Sequence, residues 1–144
     1  MTIRSAPPVP HSNLSEEALL AALMLDSEAA EFSLIRQTVK PGDFFNEVHR
    51  WTYEACIASL KHWQIVTIPT VAYELEQAGL LDNVGTEAEL VAICGRWFTA
   101  IGAIAHARLI ADCARRRILI DRAGRDARAA YRGESSQRGW VTSG

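Results

Sequence analysis

The sequence predicts an all-α fold: a compact globular bundle of about five helices followed by one long C-terminal helix. Three observations predict it. Apolar residues recur at three- and four-residue spacing through most of the chain. Helix-capping residues stand before most of these runs. No two β-branched stretches face each other across a hairpin turn, so no paired sheet is expected.

The 144 residues suit one domain. A chain of this length buries roughly two-thirds of its unfolded surface, enough for a real core. Hydrophobic residues make up 49% and charged residues 22%, which is ordinary soluble usage. No apolar run reaches the roughly 20 residues that span a bilayer. Residues 1–10 hold one Arg and no apolar signal-type stretch. The expected location is cytoplasmic, with no membrane contact. The net charge of −2 is unevenly placed. Residues 1–107 carry six Lys/Arg against thirteen Asp/Glu, and residues 108–144 carry nine Arg against four Asp/Glu. An acidic body with a basic C-terminal arm suggests contact between the two parts or between copies, and allows weak, non-specific nucleic-acid contact at most.

Residues 1–11 read as a flexible N-terminal arm, because Pro7, Pro8 and Pro10 deny them helix and central strand. Residues 12–132 read as the helical domain. Its first helix spans about 13–25, with Ser12 as cap and Glu16 and Glu17 in the dipole-favoured first turns. Leu19, Leu20, Leu23 and Met24 form its apolar face. A second helix starts near Ser27 and aligns Phe32, Ile35 and Val39. Pro41-Gly42 breaks the chain, and Phe44 and Phe45 are expected to plug the core together. Asn46 caps a third helix over 47–62. Trp51, Ala55 and Ala58 line one edge of it; Tyr53, Cys56 or Ile57, Leu60 and Trp63 line another. Residues 65–69 make a connector, and Thr67 caps a fourth helix with Pro69 in its first turn. Val71, Leu75 and Ala78 follow at helical spacing, and Gly79 stops that helix. Thr86 and Glu89 have the spacing of a capping box for a fifth helix over 87–94, ended by Gly95. Arg96, Trp97 and Phe98 are expected in a loop. The long helix runs from Ala103 to Tyr131, on the order of 40 Å at 1.5 Å per residue. Gly124 weakens it by about 1 kcal/mol relative to Ala. Residues 133–144 read as a disordered tail.

The long helix carries two stripes. Ile104, Ala107, Ala111, Ala114 and Ile118 form one. Leu109, Cys113, Ile120, Ala123, Ala127 and Ala130 form the other, interrupted by Arg116. One small body covers only part of such a helix, which points to an intermolecular partner. The predicted oligomer interface is therefore Ile104, Ala107, Ala111, Ala114 and Ile118, with Arg115 and Arg116 at its rim.

Motifs for catalysis and cofactor binding are missing from the sequence. There is no Walker-type Gly-x-x-x-x-Gly-Lys-Ser/Thr and no Gly-x-Gly-x-x-Gly, so no ATP or dinucleotide cradle is expected. Cys56, Cys94 and Cys113 stand 38 and 19 residues apart, which suits free buried thiols better than a zinc site. His11, His49, His62 and His106 lack metal spacing; His49 is expected to make a capping or core hydrogen bond. The pairs Glu16/Glu17 and Glu74/Glu76 read as helix-start and solvent-face charges. Arg115-Arg116-Arg117 reads as a solvated or interface-rim cluster. No catalytic, cofactor or metal residue is assigned.

The order of these features resembles the N-terminal domain of the DnaB-type replicative DNA helicases. The residues that carry the resemblance are Pro10-His11-Ser12, Glu16, Leu20 through Asp26, Pro41, Asp43-Phe44-Phe45, His49-Arg50, Leu75, Gly79-Leu80-Leu81, Gly85 and the helix through Arg116-Arg117. Val66-Thr67 stands where the family usually has Ile-Asp, and Thr86 where it usually has a second Gly. The resemblance implies an all-α assembly domain that builds the helicase ring and docks primase, with a helicase loader as a further partner. It makes the long helix the first arm of a helical hairpin. ATP, Mg and unwinding would belong to a RecA-like domain elsewhere in a parent helicase. The alternative is a stand-alone phage or plasmid interaction protein of the same fold that acts on a host replisome.

Overall fold

The computed structural model describes residues 8–25, 29–97 and 99–133. Among these residues there are seven α-helices, one 3-10 turn and no strand. Helix α1 (Asn13–Leu25) is the centre of the molecule. Ala18 to Met24 are all buried, so this stretch of it is apolar on every side, as the core part of a helix must be. Ser12 caps it, accepting the Ser15 N–H at 3.1 Å. Helices α3 (Glu47–Trp63), α6 (Thr86–Trp97) and α7 (Ala103–Tyr131) pack around α1.

The expected start of the second helix near Ser27 lies outside the described residues. Helix α2 (Ala29–Thr38) places Phe32 and Ile35 in the core, and Val39 follows them there. The 3-10 turn Pro41–Asp43 then reverses the chain, with Asp43 Oδ2 accepting the Lys40 N–H at 2.9 Å. Asn46 caps α3 as expected: its Oδ1 accepts from Val48 N–H (2.9 Å) and His49 N–H (3.4 Å). The buried face of α3 is more polar than its pattern suggested. His49, Thr52 and Ser59 are buried beside Tyr53 and Cys56, while Trp63 is half exposed. Each buried hydroxyl is satisfied, Thr52 by the Val48 carbonyl and Ser59 by the Ile65 carbonyl and Thr70 Oγ1.

Thr67 caps α4 (Ile68–Gln77), where Val71 and Leu75 are buried but Ala78 is exposed. Two boundaries differ from expectation. A one-turn helix, α5 (Leu81–Val84), adds to the predicted set. Helix α6 does not stop at Gly95 but continues through Arg96 and Trp97. Those two side chains anchor the extra turn: Arg96 Nε and Trp97 Nε1 both donate to Glu17 Oε1, at 3.0 and 3.3 Å. Glu89 is not free to close a capping box; its carboxylate binds Arg96 at 3.2 Å. Phe98, the arm over 1–7 and residues 134–144 lie outside the described residues.

Candidate assembly surface

Helix α7 holds the predicted interface, and the structure divides that stripe. Ala107 and Ala114 are buried in the chain's own core, together with Ala103, Ile110 and Cys113. They are therefore not available to a second copy, which corrects their assignment to an oligomer interface. The reason is geometric. The residues at 103, 107, 110 and 114 lie on one face at 100° per residue, and α1 and α2 cover that face. Ile104 and Ala111 sit half buried at its edge. Arg115, Arg116 and Ile118 are exposed.

Past residue 117 the same face becomes polar, with Asp121, Arg125 and Arg128. The body ends there and the helix projects. Ile118, Leu119 and Ile120 are each more than half exposed, and Tyr131 is 93% exposed. Leu109, Ile120, Ala123, Ala127 and Ala130 form an exposed stripe about a quarter-turn or more from the covered face. These are the members of the sequence's second stripe that stay open; its sixth member, Cys113, is buried in the core. Arg115 pairs with Asp112 and Arg125 with Asp121 along the helix itself.

Arg117 behaves differently from its neighbours in the basic cluster. Its Nη1 donates to the Pro10 carbonyl at 2.8 Å and its Nη2 to the Asp43 carbonyl at 2.7 Å. Its Cζ sits 5.4 Å from the centre of the Phe45 ring. Phe44 plugs the core, but Phe45 does not: it is 46% exposed, and His11 stacks on it with centroids 4.2 Å apart. Pro10 and His11 are thus held against the body.

Glu16 stands in the first turn of α1, as expected of a helix-start charge, but it is only 1% exposed and does more than face the dipole. Its carboxylate accepts from Phe45 N–H at 2.7 Å, Asn46 N–H at 3.3 Å and His49 Nδ1 at 2.8 Å. His49 therefore does make a core hydrogen bond. Glu74 is also engaged, by His62 Nδ1 at 3.1 Å and Trp63 Nε1 at 2.9 Å. Burial alone would raise the Glu17 carboxyl, but the Arg96 and Trp97 donors outweigh it and hold the pKa below the ordinary value. The three cysteines are free and buried, and burial pushes the Cys56 and Cys94 thiols up.

Among the described residues no three His, Cys, Asp or Glu side chains gather where they could hold a metal. No helix among them is long and apolar enough to cross a membrane. A cleft of about 410 Å³ between α3 and α4 is floored by Trp51, Ala55, Ala58 and Leu75.

A family model described as the DnaB-like helicase N-terminal domain matches residues 8–112. The chain belongs to this family. The DnaB-like match ends at Asp112, so the projecting half of α7 lies beyond it. The chain is 26% identical over 125 residues to the replicative DNA helicase DnaB of Leifsonia xyli subsp. xyli, covering 87% of this chain and 27% of that protein. It is 33% identical over 76 residues to the same helicase of Buchnera aphidicola subsp. Schizaphis graminum, covering 53% and 16%. The chain thus spans about a quarter or less of the length of these helicases. The crystal structure of the N-terminal domain of DnaB helicase from Mycobacterium tuberculosis superposes with a TM-score of 0.79 at 25% identity, covering 88% of this chain and 89% of that one.

Sequence reasoning missed Glu16, Phe45, His11 and Arg117 as members of one network. Glu16 to His49 spans 33 residues and Arg117 to Pro10 spans 107, and no local pattern connects such positions.

Proposed function

We propose that this chain is the assembly and partner-docking domain of a DnaB-type replicative DNA helicase. Its task is to pair subunits through α7, build the helicase ring and present a surface to primase and a helicase loader. ATP-driven unwinding would reside in a RecA-like domain elsewhere in such a helicase. The working location is the cytoplasm, and any DNA contact of the Arg-rich arm is weak and non-specific.

The observation that carries this reading is the uncovered stripe of α7. Leu109, Ile120, Ala123, Ala127 and Ala130 remain exposed after the body has covered the opposite face. Burying such a stripe against a second helix removes several hundred Å² of apolar surface, worth several kcal/mol at about 25 cal/mol per Å² before association costs. The small side chains permit close helix approach. The proposed interface is thus the exposed part of the second stripe, without the buried Cys113, and with Ile118, Arg115 and Arg116 at its margin.

Sedimentation equilibrium tests it. The chain is expected to form dimers or larger assemblies at high concentration. Ile120→Asp and Ala123→Asp should each shift the population to monomer while the monomer stays folded, because both sites are exposed. Wild-type monomer at hundreds of micromolar, or unchanged association in both variants, would sink the assembly role.

A further inference from the structure

We propose that Arg117, Phe45 and the Pro10–His11 segment form a clasp that fixes the direction in which α7 leaves the body. Position 117 is where this direction is decided. Ala103, Ala107, Ile110 and Ala114 hold the helix to the core, and one turn after 117 the same face is exposed Asp121. Everything beyond is a lever. The 14 residues from 117 to 131 span about 20 Å, so a tilt of about 10° at Arg117 moves Tyr131 by roughly 3–4 Å. A shift of that size is enough to change which side chains meet across a helix pair. The consequence for assembly rests on the reading above; the clasp itself does not.

The contacts suit a direction-setting role. A planar guanidinium presents two donors in fixed geometry, and here they reach carbonyls on two separate segments, Pro10 at 2.8 Å and Asp43 at 2.7 Å. Two anchor points and a ring at 5.4 Å restrain both tilt and roll of the helix. The anchors are themselves held. Glu16 Oε2 fixes the Phe45 N–H at 2.7 Å, Asp43 Oδ2 closes the turn on Lys40 N–H, and His11 is bound to the Val9 carbonyl at 2.7 Å and stacked on Phe45. Arg115 and Arg125 pair with carboxylates of α7 itself, which can stiffen the helix but cannot aim it. Arg117 donates away from its own helix, to both loops that flank the exit.

The test is a spin-label distance measurement between Glu54→Cys on α3 and Arg128→Cys on projecting α7. The protein is diluted until monomeric, so the result does not depend on self-association. Both label sites are exposed, and the native thiols are buried. The parent should give one narrow distance distribution. Arg117→Ala should broaden it about twofold and shift its mean, as expected when a local restraint is lost. Arg117→Lys should also broaden it, because a point-like ammonium does not span two carbonyls and a ring. Phe45→Leu should fall between, and the Arg117→Ala/Phe45→Leu double variant should be no broader than Arg117→Ala alone. Amide exchange at residues 118–131 should stay unchanged, since the helix persists and only its direction is freed. If Arg117→Ala does not fold, Arg117→Lys decides. A distribution unchanged in Arg117→Lys and in whichever other variants fold overturns the clasp. So does melting of residues 118–131, which would make Arg117 a stabiliser of the helix rather than its guide.

Discussion

Glu16 ties the start of α1 to the start of α3. One buried carboxylate ends three unpaired donors at the start of α3, from Phe45, Asn46 and His49. Removing it leaves the buried His49 ring and two part-buried backbone N–H groups without their acceptor. Glu16→Ala should therefore cost about 2–4 kcal/mol in urea unfolding, above the roughly 1 kcal/mol of an ordinary lost hydrogen bond. Glu17, one residue on, acts at the edge. Burial opposes its charge, but Arg96 and Trp97 hold its pKa below the ordinary value. The unfolded chain then takes up the proton first as pH falls, so this contribution is present above the ordinary carboxyl pKa of 4.5 and is lost as pH drops through the lower folded value. Urea midpoints should fall through that acid range, and Arg96→Gln should flatten the dependence. The caps Ser12, Asn46 and Thr67 were legible in the sequence because a cap reaches only two or three residues. Glu16 was not, because its partners stand about thirty residues away and a first-turn Glu has a sufficient local explanation in the helix dipole.

Elements were legible where periodicity ran long and illegible where two rules competed. The 29 residues of α7 were bounded correctly from spacing alone. Gly95 has the look of a stop, yet α6 continues through Arg96 and Trp97, whose side chains both bind Glu17. The single turn of α5 has too few residues for any period to show. Thr86 carries the local strain of this region. It follows Gly85 at φ 112° and itself sits at φ 65°, a conformation that crowds a β-branched side chain. It also accepts the Ala88 N–H through Oγ1 at 3.3 Å. Replacing a capping Thr with Gly costs only a few tenths of a kcal/mol, while relieving a left-handed non-Gly residue is worth about 1–3 kcal/mol. Thr86→Gly should therefore stabilise the domain by roughly 1 kcal/mol, seen as a melting point raised by about 2–4 °C.

At the scale of the whole molecule, α7 has two faces that the sequence could not separate. Both of its stripes satisfy the same three-and-four spacing. Which one meets the body depends on where α1 and α2 lie, and periodicity is blind to that. The structure assigns Ala107, Ile110 and Ala114 to the core and leaves Ile118, Leu119 and Ile120 more than half exposed. Stability and assembly should accordingly respond to different residues. Ile110→Ala removes buried methylenes and leaves a cavity, so it should lower the melting point at every protein concentration, by an amount equivalent to about 2–5 kcal/mol. Changing Ile118, Leu119 and Ile120 together to Gln touches side chains that the monomer leaves more than half exposed, so the melting point of a dilute sample should move by less than about 1 kcal/mol equivalent. The concentration dependence is what should differ. A chain that self-associates is stabilised by mass action, so the parent's melting point should rise with concentration. The triple variant's should stay flat. A parent curve as flat as the variant's would leave the fold intact and remove the case that these exposed residues face a partner.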